Sequence, residues 1–186
     1  PQVKLRTEWL NRTLADRRIL SCLTNRDDLA AFAADARGRR IQQVFCKGKN
    51  IFCELEDECF LHNHLLMRGR WKKLDGQLLF LPPEMWLSFG VNGYTMCNVN
   101  GQSLTPMGRE DVEAVLDRLG PDAMSQSYPA EAIARSLGRY RRSIAEALLD
   151  QSVVSGLGNV AKSEALYLAR VNPRAIPNDL NDDQMH

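Results

Sequence analysis

The chain has 186 residues, of which 24 are Lys or Arg and 23 Asp or Glu, for a formal net charge of +1 at pH 7. With 44% hydrophobic residues it can bury the core of one domain or two small ones, which excludes general disorder. No run approaches the roughly 18 to 20 apolar residues of a membrane helix, and no charged-then-apolar leader opens the chain, so a cytoplasmic protein without a membrane partner is expected. Taken as an average, the near-zero charge also argues against a nucleic-acid partner.

Val3, Thr7, Leu10 and Leu14 recur at spacings of four, three and four, one face of a helix, with Pro1 where a first turn tolerates it. From Arg39 to Leu81 the period changes. Ile41, Val44 and Phe45, then Ile51 to Leu55, Phe60 to Leu66 and Leu78 to Leu81 are short apolar runs. Lys47-Gly-Lys-Asn50, Glu56-Asp-Glu58 and Asp75-Gly76 separate them, which predicts strands and tight turns of an antiparallel sheet. Strands are expected to continue through Trp86 to Asn98, with turns at Asn92-Gly93 and Asn100-Gly101.

The composition shifts near Thr105. Arg109 to Leu119 reads as a helix stopped by Gly120-Pro121, and Asp122 to Pro129 as a polar linker. Helices are expected over Ala130 to Leu137, Ser143 to Gln151 and Val160 to Val171, the last ended by Asn172-Pro173. The predicted fold class is α+β: a leading helix and an antiparallel β-sandwich domain over 1–120, a linker at 121–129, and a helical domain over 130–186.

The five cysteines, Cys22, Cys46, Cys53, Cys59 and Cys97, include no Cys-x-x-Cys pair, and with His62, His64 and His186 they make no zinc quartet. No metal or cofactor is therefore expected, and the thiols are expected to be reduced and half-buried.

Ser155-Gly-Leu-Gly-Asn159 lies between two amphipathic helices and opens the second, an arrangement that offers backbone N–H groups and a helix start to an anion such as phosphate. Two glycines can also do no more than let helices turn. The surroundings favour the first reading: Arg135 to Arg174 holds seven basic and three acidic residues, as suits a nucleic-acid backbone. A second basic window, Arg37 to Lys73, holds nine basic residues and four acids, all four acids falling within Glu54 to Glu58. The average charge thus hides two positive regions.

Several motifs in these windows resemble one family. Arg142 to Gln151, Val154-Ser-Gly-Leu-Gly-Asn-Val160, Lys162-Ser-Glu-Ala-Leu-Tyr167 and Val171-Asn-Pro173 resemble the helix-two-turn-helix element of the formamidopyrimidine-DNA glycosylase and endonuclease VIII family. Lys47-Gly-Lys-Asn-Ile-Phe52 is similar to that family's Arg-Gly-Lys turn. His62-Asn-His-Leu-Leu-Met-Arg-Gly-Arg-Trp71 is similar to its His-Leu-x-Met-x-Gly-x-Trp strand, nearer the endonuclease VIII branch. The resemblance implies that Lys49 assists base excision and strand cleavage, and that Met67 fills the gap left by an extruded base. It places His64 and Arg68 at the DNA near the lesion, and has Asn159, Lys162 and Arg142 hold phosphates. A lysine in a hairpin turn is ordinarily solvated, a methionine in a strand ordinarily core and a lone histidine ordinarily structural; the motifs count together and in this order.

The family nucleophile is an N-terminal proline whose secondary amine forms an iminium with the sugar, followed by a glutamate. Two registers are open here. Either Pro1 takes that place with Gln2 in the glutamate position, or Pro1 to Leu10 aligns with a later proline and the nucleophile lies upstream. The family's arginine-bearing intercalation loop is not recognisable between Asn98 and Met107, and the match breaks off in the second helix of the pair, before the finger, often zinc-bearing, that follows in the family. The chain is thus expected to be cut at both ends. What the resemblance implies is a bifunctional base-excision-repair glycosylase and apurinic-site lyase of the bacterial nucleoid, a monomer acting on oxidised bases, pyrimidines above all, in damaged duplex DNA. The alternatives are a non-catalytic module of the same fold that grips damaged DNA, and an RNA-binding protein using the same helical element.

Overall fold

The computed structural model describes residues 2–181 apart from Gln102, Gln126 and Tyr128; the expectations for Pro1 and His186 lie outside the described residues. In chain order the elements are α1 (Gln2–Leu14), β1 (Ser21–Thr24), a 3-10 turn (Asp27–Leu29) running into α2 (Ala30–Ala36), β2 (Ile41–Lys47), β3 (Asn50–Leu55), β4 (Cys59–His64) and β5 (Arg70–Asp75). They continue with β6 (Met85–Val91), β7 (Tyr94–Val99), β8 (Leu104–Met107), α3 (Arg109–Asp117), α4 (Ala130–Gly138), α5 (Ile144–Ala147), α6 (Asn159–Leu168) and a 3-10 turn at Pro177–Asp179. The chain divides into two compact units, one over Gln2–Val112 and one running on from Glu113.

The first unit is a sandwich of two antiparallel four-stranded sheets, ordered β1-β6-β7-β5 and β2-β3-β4-β8. Period-two alternation sends Ile51, Cys53, Leu55 and Leu61 from one sheet and Leu87, Phe89, Val91 and Met96 from the other into a shared core, closed by Leu10 and Leu14 of α1 and Phe32 and Ala36 of α2. The spacing that predicted α1 thus marks its buried face; Thr7, Leu10 and Leu14 are all buried. α1 is also stitched to β2, since Asn11 Oδ1 accepts from the Val44 N–H at 2.7 Å. Cys22, Cys53, Cys59 and Cys97 carry free thiols, and burial pushes the Cys22 thiol up to about 12 and Cys97 to about 11, so neither of these two is a thiolate at neutral pH.

Four expectations are corrected. Leu78 to Leu81 is not a strand: Pro82-Pro83 follows it and cannot donate to a ladder, so Leu79 and Phe80 stand exposed while only Leu81 is buried. The run Phe60 to Leu66 stops as a strand at His64, because Leu66 turns at φ +47°. The helix expected over Ser143 to Gln151 is the short α5, opened by a capping box in which Ser143 and Glu146 satisfy each other's backbone N–H groups. The helix expected to reach Val171 ends at Leu168 in a Schellman motif, with Arg170 at φ +53° and the N–H groups of Arg170 and Val171 donating to the carbonyls of Tyr167 and Leu166. β1, α2 and β8 carry no counterpart among the predicted elements.

In the second unit Ile133, Leu137, Ile144, Ala147, Leu148, Val154, Leu166 and Val171 form a separate apolar core. Gly120-Pro121, expected to stop the preceding helix, and Asp122-Ala123, expected at the start of a linker, are bonded into this unit. The Gly120 N–H donates to the Gln151 carbonyl, the Ser155 N–H to the Pro121 carbonyl and the Ala123 N–H to the Ser155 carbonyl, at 2.9, 2.9 and 3.0 Å.

Candidate nucleic-acid interface

The β2-β3-β4 ladder separates charge by its register. Asn50 of β3 pairs with His64 of β4 at one end and Leu55 with Cys59 at the other. The Gly48-Lys49 turn and the turn after His64 therefore share an end, while the acidic turn Glu56 to Glu58 lies about 17 Å away along the strands. At that far end the acids are neutralised. Arg109 binds Glu54 at 3.0 Å and Glu58 at 2.7 Å, Arg39 binds Asp57 at 3.0 Å, and Arg40 lies 3.9 Å from Glu56. No acid of this window reaches the Lys49 end.

Lys49 sits in a two-residue hairpin turn closed by the Lys47–Asn50 pair, with Gly48 at φ +60° as the first turn residue. It is half-buried, and the loss of water lowers its pKa. Burial likewise lowers the pKa of His64, and the neighbouring Lys49 charge lowers it further. The Leu66 N–H donates to His64 Nδ1 at 3.4 Å, which leaves Nε2 as the protonated donor of a neutral ring. Beside it His62 Nε2 donates to Asn50 Oδ1 at 2.9 Å, and its ring stacks on Phe52 at 4.9 Å, with Phe45 on the far side of Phe52 at 5.2 Å. His62 and Asn50 thus brace the base of the lysine turn.

Met67 lies in a turn between β4 and β5, where a strand was expected. The His-Leu-Leu-Met-Arg-Gly-Arg-Trp motif is a strand end, a turn and a strand start. Met67 is 96% exposed and Leu66 is 59% exposed, so the apolar tip of this turn stands in solvent. Arg68 is exposed next to them. The turn closes through the Gly69 N–H donating to the Leu65 carbonyl at 2.8 Å, and a side chain at 69 would come within 2.4 Å of that oxygen. Arg6 of α1 donates to the Gly69 carbonyl at 3.2 Å. Below the turn, buried Asn63 accepts from Trp71 Nε1 at 3.0 Å and donates to the Ser103 carbonyl at 2.7 Å, joining the turn's two flanks to the segment before β8.

In the second unit the turn before α6 is built by Gln151 and Ser155. The Gly156 N–H donates to Gln151 Oε1 at 3.0 Å, and Gln151 Nε2 donates to the carbonyls of Leu149 and Leu157, both at 3.1 Å. Fully buried Ser155 donates its hydroxyl to the Gly120 carbonyl at 3.1 Å. Gly156 adopts φ +94°, a region a side chain disfavours. α6 then begins at Asn159 behind Gly158, which brings no capping side chain, so its first amide donors stay open. Exposed Asn159 accepts from Lys162 Nζ at 2.6 Å, which puts a cation and an amide at this helix start. Exposed Arg142 pairs with Glu146 one turn along α5, and no hydrogen bond among the described residues joins it to Asn159 or Lys162.

The N-terminal domain model of formamidopyrimidine-DNA glycosylase matches residues 1–102, and the H2TH domain model of formamidopyrimidine-DNA glycosylase matches residues 119–186. The chain belongs to the formamidopyrimidine-DNA glycosylase family. A formamidopyrimidine-DNA glycosylase from Ligilactobacillus salivarius is 24% identical over 95% of this chain and 66% of its own. One from Oceanobacillus iheyensis is 35% identical over 79% and 54%, and the "Probable endonuclease 8 2" of Streptomyces coelicolor 30% identical over 75% and 52%. The chain thus spans between half and two thirds of the length of these curated relatives. Its fold matches that of Lactococcus lactis Fpg, solved in complex with abasic-site DNA, at a TM-score of 0.86 and 20% identity, over 100% of this chain and 72% of that one.

Within this glycosylase-family fold, the described residues bring Lys49 and His64 together at one sheet end, with the Met67-Arg68 turn following His64, and join Asn159 to Lys162 at the start of α6. His62, Asn50, Asn63, Gln151 and Ser155 were not singled out from the sequence. For His62 and Asn63, polar side chains inside the apolar run of β4 were the available signal. Among the described residues no group of three or more His, Cys, Asp or Glu could hold a metal, and no helix is long and apolar enough to cross a membrane.

Proposed function

We propose that this chain carries the lesion-handling part of a base-excision-repair DNA glycosylase with apurinic-site lyase activity, acting on oxidised bases in duplex DNA, with oxidised pyrimidines as the preferred class. The observation that carries the reading is one sheet end holding a desolvated lysine, a neutral histidine with its Nε2–H to give, and a methionine 96% exposed at a turn tip. Extruding a base costs a few kcal/mol in lost stacking, and a flexible apolar side chain entering the space recovers part of that. Met67 supplies that side chain. His64 donates to a phosphate beside the lesion and gains a proton as the phosphate approaches; Lys49, its charge already disfavoured by burial, exchanges protons there more readily than a solvated lysine. The open amides of α6, with Asn159 and Lys162, hold a backbone phosphate, and Arg142 adds a further cation.

In the proposed reaction an N-terminal proline amine attacks the sugar carbon that bears the damaged base. The base leaves with a proton, the C1′–O4′ bond opens as the amine hydrogen passes to O4′ and the iminium forms, and loss of a C2′ proton from that intermediate expels the 3′ phosphate and cleaves the strand. Borohydride trapping on duplex containing an abasic site tests this. A covalent adduct that disappears when the N-terminal amine is blocked supports the enzyme, whereas tight binding without an adduct leaves only the damaged-DNA-binding module.

A further inference from the structure

We propose that the outer face of edge strand β5, through Arg70 and Lys72, is a phosphate-binding rail that extends the grip on the duplex away from the Met67 turn. The inference rests on the DNA-binding reading above and adds a surface to it.

Among the described residues β5 pairs only with β7 and forms one edge of its sheet. Alternation divides its cations between two faces. Trp71 faces the core and stacks on Phe89 at 5.9 Å; Lys73, on the same face, holds its Nζ 4.2 Å over the Tyr94 ring. Arg70 and Lys72, both exposed and about 7 Å apart along the strand, point to the other face, opposite buried Val99 and Cys97.

Charge sorting singles this strip out. The four acids of the Arg37 to Lys73 window are bound at the far end of the other sheet by Arg39, Arg40 and Arg109. Arg68, Arg70 and Lys72 have no ion pair among the described residues, and no acid occurs in the sequence from Asn63 to Leu74. The strip also continues directly from the exposed Met67 tip. Charged residues on an edge strand can serve another end, since they prevent pairing with other chains. That task is met by either sign of charge and by any outward residue. A one-sign strip adjoining the lesion turn matches a polyanion that passes the turn, and duplex DNA is the polyanion the turn itself calls for.

The experiment measures duplex affinity of the whole chain against NaCl concentration, on undamaged and abasic-site duplexes, for the parent, Arg70→Gln/Lys72→Gln, Lys73→Gln and Asn159→Ala. Each phosphate contact contributes about 0.9 to the slope of log K against log salt. The double variant is expected to lower that slope by about 1.8 on both duplexes. The parent's affinity then falls about tenfold more than the variant's between 50 and 200 mM salt. Lys73→Gln leaves the slope unchanged. An unchanged slope in the double variant, with Asn159→Ala still weakening binding, overturns the rail alone. So does self-association of the double variant at unchanged slope, the mark of a protective edge. If the parent binds no duplex, the rail and the reading beneath it both fall.

Discussion

The turn after β4 and the turn before α6 are built in opposite ways. The first presents side chains: Met67, Leu66 and Arg68 project from a short turn into solvent, and the Gly69–Leu65 backbone bond, Arg6 and the Asn63 network steady its base. The second presents backbone. Gln151 and buried Ser155 use up the polar groups around Gly156 so that the amides opening α6 remain available. A void-filling residue must enter a space that does not yet exist, so it is left exposed on a fixed base. A phosphate grip needs donors that are aligned in advance, so its backbone is locked from below.

Lys49 tests the chemistry of the first region most sharply, and the largest effect is expected there. Lys49→Ala should slow strand cleavage by about a hundredfold or more while sparing duplex affinity; an unaltered single-turnover rate would remove Lys49 from the proposed mechanism. Lys49→Arg, which keeps the charge and cannot give up its proton, should be nearly as slow.

Stability separates the two turns next. Gly69→Ala places a methyl within 2.4 Å of the Leu65 carbonyl, a backbone atom that cannot step aside, and should cost about 1–3 kcal/mol. Ser155→Ala removes the hydroxyl bonded to the Gly120 carbonyl and should cost about 1 kcal/mol, with duplex binding falling alongside. Met67→Ala, by contrast, should stay within about 0.5 kcal/mol of the parent because the side chain is in water, yet lose trapping on lesion duplex. Urea unfolding of the three variants checks this order. A Met67→Ala cost as large as that of Ser155→Ala would break the distinction between side-chain and backbone turns.

What could be read from the sequence follows the same division. α1 declares itself through periodicity because one face meets a core, β3 and β7 through apolar runs between turn residues because both their faces are covered, and Lys49, Met67 and Asn159 stand out because their motifs are local. The strand expected at Leu78 to Leu81 fails because apolar content is visible in sequence while the Pro82-Pro83 interruption of a ladder acts only in three dimensions. β1 and β8, four residues each, are too short to show a period and exist through their partners β6 and β4. Helix α5 looked longer because Leu148 is apolar, but Asp150 turns its carboxylate back to the Ser152 N–H at 2.9 Å and Gln151 spends its amide on the next turn, which ends the helix. Gln151 and Ser155 are legible only once their partners are known, since nothing in a helix end distinguishes a bracing amide from a solvated one.

Acid reaches the two regions at different pH. Burial lowers the pKa of both His62 and His64, with the His64 charge adding to the first and the Lys49 charge to the second. The unfolded chain therefore binds these protons more readily than the folded one, so stability is complete above about pH 7 and declines as pH falls through the ordinary histidine range. The helical unit answers lower down: hydrogen bonds from Ser143 hold Glu146, and those from Ser152 hold Asp150, below the usual carboxylate range, so their contribution is lost only on further acidification. His62→Gln should flatten the first decline and leave the second. An unchanged decline near pH 6 would show that the histidine end of the sheet does not govern it.

Arg142 gives the smallest stability effect and the finest test of the comparison. Its pair with Glu146 spans one helical turn and is exposed, so Arg142→Gln should change stability by no more than about 0.5 kcal/mol. Glu146 is held by the Ser143 capping box whether or not the arginine is present, so removing the arginine leaves α5 capped and its start in place. If Arg142 exchanges Glu146 for a phosphate when duplex binds, the same variant lowers the salt slope by less than the full value of about 0.9 for one contact, because the phosphate competes with a carboxylate already paired. Asn159→Ala, by comparison, removes a neutral contact and weakens binding with little change in slope. A full-value slope loss for Arg142→Gln would mean that the crossing from Glu146 to phosphate costs nothing, and that the helical unit presents this side chain as freely as the sheet unit presents Arg68.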